Sequence, residues 1–264
     1  MIVKKTPQEI EKMAAAGAIL VRTLKLVEGK VRPGVTTKEL DDAAERFIRS
    51  QGGVPAFKGY NGFPGSLCTS PNHMVVHGIP GPYALVKGDI ISVDCGVVLD
   101  GWVADAARTF PVGPVAPQAT KLMDATRASL LDAVQQCRPG NRLGDVSHAV
   151  QARVEGEGLS VVRSLVGHGV GRKMHEDPQV PNYGDPGRGP LLEPGMVLAV
   201  EPMVTVGGPR VSMGGDGWSV FSQDGSLAAH FEFTIAVTDN GPRVLTPWHE
   251  DERVRPPEGQ PPRC

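Results

Sequence analysis

KGDIISVDCG (87–96) is an apolar, β-branched run that ends in a carboxylate, Asp94, and PGMVLAVEPM (194–203) answers it with Glu201 in the same slot. A second echo accompanies the first: VHGIP (76–80) around His77 and GHGVG (167–171) around His168. Further out, VRPGVTTKELDDAAERFI (31–48) is repeated as CRPGNRLGDVSHAVQARV (137–154). Recurrence of this kind marks an internal duplication. A duplicated fold that sets carboxylates and imidazoles at matching strand ends of each half is suited to enclosing metal on its pseudo-symmetry axis.

Local signals place these motifs on elements. Thr6, Pro7 and Glu9 form a helix start with a capping box, followed at helical spacing by Ile10, Met13, Ala14, Val21 and Leu24. Gly17 falls on that stripe, where it weakens the helix slightly and permits close packing. Thr36 and Glu39 make a second capping box, with Val35 and Leu40 as its hydrophobic staple, and Asp145 supports the corresponding start after Arg142. Short β-branched runs at 89–98, 108–112, 159–166, 196–205 and 231–238 read as strands. The expected architecture is α+β: two pseudo-twofold-related halves, about 31–113 and 137–238, with helices packed on a largely antiparallel sheet inside one catalytic domain, 1–248. The polar, Pro-rich segment 249–264 reads as a flexible tail.

Composition narrows the class. With 264 residues and a formal charge of -2, the chain can bury one large core, and it offers no electrostatic reason to bind nucleic acid. No membrane-length apolar run and no signal peptide are visible, so a cytoplasmic location is the expectation. The four cysteines show no CxxC pairing, which argues against a thiolate zinc site and a disulfide framework.

The hairpin at Asp100-Gly101 can be read geometrically. A two-residue turn there sets Leu99 opposite Trp102, Gly96 opposite Asp105 and Asp94 opposite Ala107, which makes Asp94 and Asp105 diagonal neighbours on one face. Glu201 ends one apolar run and Glu232 interrupts another, HFEFTIAV (230–237). A buried unpaired carboxylate is costly, so a nearby cation is the simplest explanation. His168, between two glycines, completes a set of four carboxylates and one imidazole that suits two hard or borderline divalent ions.

DCGVVLDGWVADAARTF (94–110), GHGVGRKMHEDPQVPNYG (167–184), AVEPMV (199–204) and FEFTIAVTDNGPRVLT (231–246) resemble, in order and spacing, the motifs of type I methionine aminopeptidases of the short bacterial form. The resemblance implies a pita-bread fold and a dinuclear centre of cobalt, manganese, iron, zinc or nickel. Its ligands are Asp94, Asp105, His168, Glu201 and Glu232, with Asp105 and Glu232 bridging, Asp94 on one ion, and His168 and Glu201 on the other. It implies that Glu201 relays a proton, that His77 and His175 contact the scissile amide and the tetrahedral intermediate, and that Phe57, Tyr60, Phe63, Cys68, Met174 and Trp218 surround the first side chain. It implies removal of the initiator methionine from nascent polypeptides near the ribosome, before a small second residue, by a monomer without membrane or specific nucleic-acid partners.

The chain departs from the family pattern at several places. Val103-Ala104 stand where His-Gly is common, Ala106 and Ala107 follow Asp105, His73 replaces an acid, and Phe233 replaces a histidine. His77 and the loop carrying Pro71-Asn72-His73 are expected to crowd the path of the second side chain, with His73 narrowing or reshaping it. Two other readings compete: a different pita-bread hydrolase acting on Xaa-Pro bonds, and a binding protein that has lost its metals. Retention of all five ligands weighs against the second, and the extra N-terminal domain typical of Xaa-Pro enzymes weighs against the first.

Overall fold

The computed structural model describes residues 1–249. Four helices carry the outer layer: α1 (Pro7–Glu28), α2 (Thr37–Ser50), α3 (Pro117–Gln136) and α4 (Leu143–Gly156). The capping boxes at Thr6/Glu9 and Thr36/Glu39 form as their sequence implies, and the Asp145 carboxylate accepts the Arg142 backbone N–H at 2.7 Å. Sequence reading did not mark α3. Its N-cap is Ala116, which makes no side-chain cap hydrogen bond, and its first turn holds no acid, so Pro117 at the first helical position is the start signal it carries.

The duplication is visible in the backbone. Thr36, the N-cap of α2, bridges to Ala84, and Arg142, the N-cap of α4, bridges to Leu191. Beside these bridges Leu85 donates to the Val35 carbonyl at 2.9 Å and Leu192 to the Asn141 carbonyl at 2.8 Å. Each RPG turn thereby fastens its helix to the loop leading into the central strand of its half. This is the pita-bread arrangement of two related helix-and-sheet halves.

In the first half, strand Ile90–Leu99 pairs antiparallel with Trp102–Pro111 along one edge and with Leu67–Pro71 and Val54–Pro55 along the other. The register is the one the Asp100-Gly101 turn dictates, with Gly96 opposite Asp105 and Asp94 opposite Ala107. In the second half the strand order is Gly241–Val244, Phe233–Thr238, Val197–Val200, Gly167–Gly169, Glu176–Val180. Boundaries differ from the sequence reading where a single residue breaks a run. The 159–166 run is a strand only at Ser160–Val161, 196–205 is interrupted at Glu201-Pro202, and the 108–112 strand begins six residues earlier, at Trp102.

Hydrogen bonds between the Asp105–Thr109 and His230–Thr234 segments join the half-sheets. The Thr234 hydroxyl donates to the Asp105 carbonyl at 2.7 Å, the Glu232 N–H to the Ala107 carbonyl at 2.9 Å, and the Thr109 hydroxyl to the His230 carbonyl at 2.9 Å. Asp105 and Glu232 are thus brought together by the line on which the halves meet. One large core under the helices draws on both halves, from Leu20, Leu24 and Leu40 to Leu122, Leu130 and Val150. Gly17 is where α1 approaches the segment that leaves strand Gly241–Val244, and a Cβ there would overlap the Leu245 carbonyl. Of the tail expected at 249–264, only His249 lies among the described residues.

Candidate active site

A cavity of about 260 Å³ opens where the two halves meet, and its wall includes all thirteen site residues singled out from the sequence, with Asn61 in addition. Each side chain arrives there for a local reason. Asp94 and Asp105 come from the two arms of the first hairpin, and Glu201 follows the end of strand Val197–Val200. Glu232 directly precedes Phe233–Thr238, and because Phe233 pairs with Val200, the next rung of that register sets Glu232 opposite Glu201.

His168 lies at a bulge, where the register against Glu176–Val180 shifts between His168 and Gly169. Its flanking glycines serve close approach: a Cβ on Gly167 would overlap the Ala199 carbonyl, and one on Gly169 the Asp177 carbonyl. Its Nδ1 lies 2.9 Å from the Gly169 carbonyl, so that nitrogen donates and Nε2 presents its lone pair. Nε2 lies 3.5 Å from Glu201 Oε1 and 3.9 Å from Asp105 Oδ2.

The electrostatics are those of like charges buried close together. Burial pushes the Asp105 carboxyl up to about 7. Burial, followed by repulsion from Asp105, holds Glu201 and Glu232 well above the carboxylate range, and Asp94 is raised by the same two causes together with Glu201. Burial and the nearby His175 bring His168 down to about 4, which keeps it neutral, with a free lone pair, at ordinary pH. Asp94 Oδ1, Asp105 Oδ1 and Glu232 Oε1 are buried without a hydrogen-bond partner. Single ligand atoms of Asp105, His168 and Glu232 lie within 4.8 Å of one another. Two ligands each about 2.0–2.6 Å from one ion are at most roughly 5 Å apart, so the orphaned oxygens and bare imidazole fit a divalent cation.

The rest of the cavity is aromatic and thioether-lined. Phe57, Phe63, Cys68 and Met174 are buried in one apolar cluster with Trp218 packed against it, and the Phe63 and Trp218 rings meet edge-on with centroids 5.1 Å apart. His175 is held between two rings, 4.3 Å from His168 and 5.4 Å from Tyr60, whose hydroxyl lies 2.8 Å from His175 Nδ1. His77 follows strand Met74–Val76 with a left-handed backbone (φ 60°), a conformation that non-glycine residues adopt mainly at functional or turn positions.

The unusual residues fall outside the cavity wall. His73 stacks on Phe221 with ring centroids 5.3 Å apart and is not part of this cavity's wall. Phe233 points away from Glu232 into an aromatic group with Trp248 and His249, at 4.6 and 4.8 Å. Alternation along the strand likewise puts Ala104 and Ala106 in the core while Asp105 faces the cavity.

Two residues near the site escaped sequence reading. Asn61 lies in a short turn, Tyr60–Gly62, with a left-handed backbone (φ 48°) that no pattern announced. His230 is buried with Nε2 3.7 Å from Glu201 Oε2, on the opposite carboxylate oxygen from His168. Its signal was present in the HFEF run, two residues before Glu232.

A model of metallopeptidase family M24 matches residues 11–239, and the chain belongs to that family. It is 54% identical to the methionine aminopeptidase of Clostridium perfringens over 93% of this chain and 99% of that protein. The crystal structure of the Thermotoga maritima methionine aminopeptidase is similar with a TM-score of 0.92 at 46% identity, covering 93% of this chain and 99% of that one. The prolidase of Pyrococcus furiosus shares the fold alone, with a TM-score of 0.75 at 21% identity and only 65% of its chain covered.

Proposed function

We propose that this chain removes the initiator methionine from new polypeptides by hydrolysing the first peptide bond, with a small second residue preferred. The observation that carries the reading is the union, in one cavity, of the five-residue ligand set with a thioether-compatible wall of Phe57, Phe63, Met174 and Trp218. Similarity to methionine aminopeptidases over most of both chains supports it, whereas the prolidase likeness speaks only to fold.

Asp94, Asp105, His168, Glu201 and Glu232 would hold two divalent ions, Asp105 and Glu232 shared between them. Bound there, the ions supply an acidified water and positive charge for the developing oxyanion. The chain's own residues do the rest. The aromatic wall seats the methionine side chain, which fixes the scissile bond over the carboxylates. Glu201 takes the proton from the attacking water and returns it to the leaving amine. His175, oriented by Tyr60, donates a hydrogen bond to the carbonyl oxygen, and His77 bonds the scissile amide. The substrates would be nascent-chain N-termini, met in the cytoplasm near the ribosome by a monomeric enzyme. Among the described residues, no helix is long and apolar enough to cross a membrane.

Mass spectrometry of reporters co-expressed with the enzyme and differing only at the second residue tests the reading. Methionine is expected to be lost before Ala, Gly and Ser and kept before Leu, Lys and Phe. Equal removal before Ala and Phe would overturn the selectivity.

A further inference from the structure

Trp218 lines the cavity but belongs to no strand. It lies in the loop between Val211–Met213 and Val220–Ser222, half-buried, with its ring against Phe63. That loop is closed by the Gly214 N–H donating to the Ser219 carbonyl at 2.7 Å and the Gly217 N–H donating to the Gly214 carbonyl at 3.2 Å. Asp216 sits inside it. One of its oxygens, Oδ1, accepts the backbone N–H groups of Trp218 and Ser219, each at 2.8 Å, and the other accepts the Ser219 hydroxyl at 2.6 Å. With three donors on one carboxylate, led by the Ser219 hydroxyl, its pKa is drawn below the ordinary value and the group stays charged. Hydrogen bonds to a charged acceptor are roughly twice as strong as neutral ones. Two of the three act on the backbone of Trp218 and its neighbour, which sets the direction of the indole.

The structure assigns Asp216 a part in substrate selection, as the positioning residue that aims the Trp218 indole at the first side chain of the substrate. The inference deepens the function proposed above and rests on it. Asp216 is exposed and absent from the cavity wall, so it touches neither the reacting bond nor the carboxylate cluster. Loss of its tether therefore weakens the seating of the methionine side chain while the chemical step stays intact.

The experiment measures KM and kcat for Met-Ala-Ser with the full-length metal-loaded wild type, Asp216→Ala, Asp216→Asn, Trp218→Ala and the Asp216→Ala/Trp218→Ala double variant, together with acrylamide quenching of tryptophan fluorescence. Trp102 and Trp248 are buried, so the quenchable emission reports Trp218. Asp216→Ala is expected to raise KM about tenfold, the loss of about 1.4 kcal/mol of binding, with kcat within about twofold and a larger quenchable fraction. Asp216→Asn keeps the Oδ1 acceptor and is expected near the wild type. The double variant should be no worse than Trp218→Ala, because a tether has no effect once its ring is gone. Wild-type KM in Asp216→Ala, a fall in kcat with KM unchanged, or effects that multiply in the double variant would overturn the inference. If the wild type itself failed to cleave Met-Ala-Ser, the functional reading would fall separately, and unchanged quenching in Asp216→Ala would then count against the tether on its own.

Discussion

The Tyr60 hydroxyl lies 2.8 Å from Nδ1 of His175. With the His168 ring 4.3 Å from its other side, the imidazole is held in one orientation, and Nε2 is the nitrogen left to face a substrate. Tyr60→Phe removes that bond while keeping the ring. A hydrogen bond of this kind contributes about 1–2 kcal/mol, so kcat is expected to fall roughly tenfold with KM nearly unchanged. A Tyr60→Phe enzyme with wild-type kcat would show that His175 needs no such support.

Removal of one carboxylate of the buried cluster separates stability from activity. Glu232→Gln is expected to lose peptide hydrolysis and bound metal, because water activation needs the full ligand set. In the metal-free state the same change removes one member of a cluster raised by burial and mutual repulsion, so the apoprotein is expected to melt higher than the metal-free wild type. Elemental analysis with calorimetry checks both halves, and full activity in Glu232→Gln would exclude the shared-ligand assignment.

The pH dependence of the metal-free protein follows from Asp105. Its carboxyl titrates near 4 when unfolded and at about 7 when folded, so between these values the folded state holds a proton that the unfolded state releases. Stability from this group is complete below about pH 4 and is lost as pH rises through about 7. The lowered His168 and His230 act in the opposite sense up to about pH 6.5, so in EDTA Tm is expected to drop by several degrees between about pH 6.5 and pH 8, and added Mn2+ at the upper end should restore it. A metal-free Tm that rises over that interval would contradict the buried charge cluster.

Gly17→Ala tests the packing of α1. The added Cβ would overlap the Leu245 carbonyl, and the backbone on both sides must shift. A cost of about 2–3 kcal/mol is expected, near the upper end for overpacking, and it outweighs the propensity gain of about 1 kcal/mol. Urea denaturation measures it, and a Gly17→Ala protein as stable as the wild type would mean the helix can move away.

Much of this was legible because it depends on neighbours in sequence. The Asp100-Gly101 turn alone sets Asp94 against Ala107 and Asp105 against Gly96, and the capping boxes at Thr6 and Thr36 act within one helical turn. Resemblance to a family supplied the roles, and the structure brings every one of those side chains to a single cavity. Less legible were features created by the meeting of the halves. That Glu232 lies beside Asp105 depends on the seam through Thr234 and Ala107, and that His230 approaches Glu201 depends on the pairing of Ala228–His230 with Met203–Thr205, which sets His230 opposite Met203. Phe233 and His73 drew attention as departures from a pattern, but strand alternation turns the first away from the site and Phe221 holds the second. Helix α3 lacked a capping side chain, and its start was marked in sequence by Pro117 without a cap or acid to confirm it.

The most direct measurement is hydrolysis by the purified enzyme, stripped with EDTA and then reloaded with Co2+, Mn2+ or Fe2+, of Met-Ala-Ser, Met-Phe-Ser and Ala-Pro-Ser, with products identified by mass spectrometry. The account predicts free methionine and Ala-Ser from the first peptide only after metal is restored, with little cleavage of the second and none of the third. Metal-independent release of methionine, or cleavage of Ala-Pro-Ser in preference to Met-Ala-Ser, would contradict it.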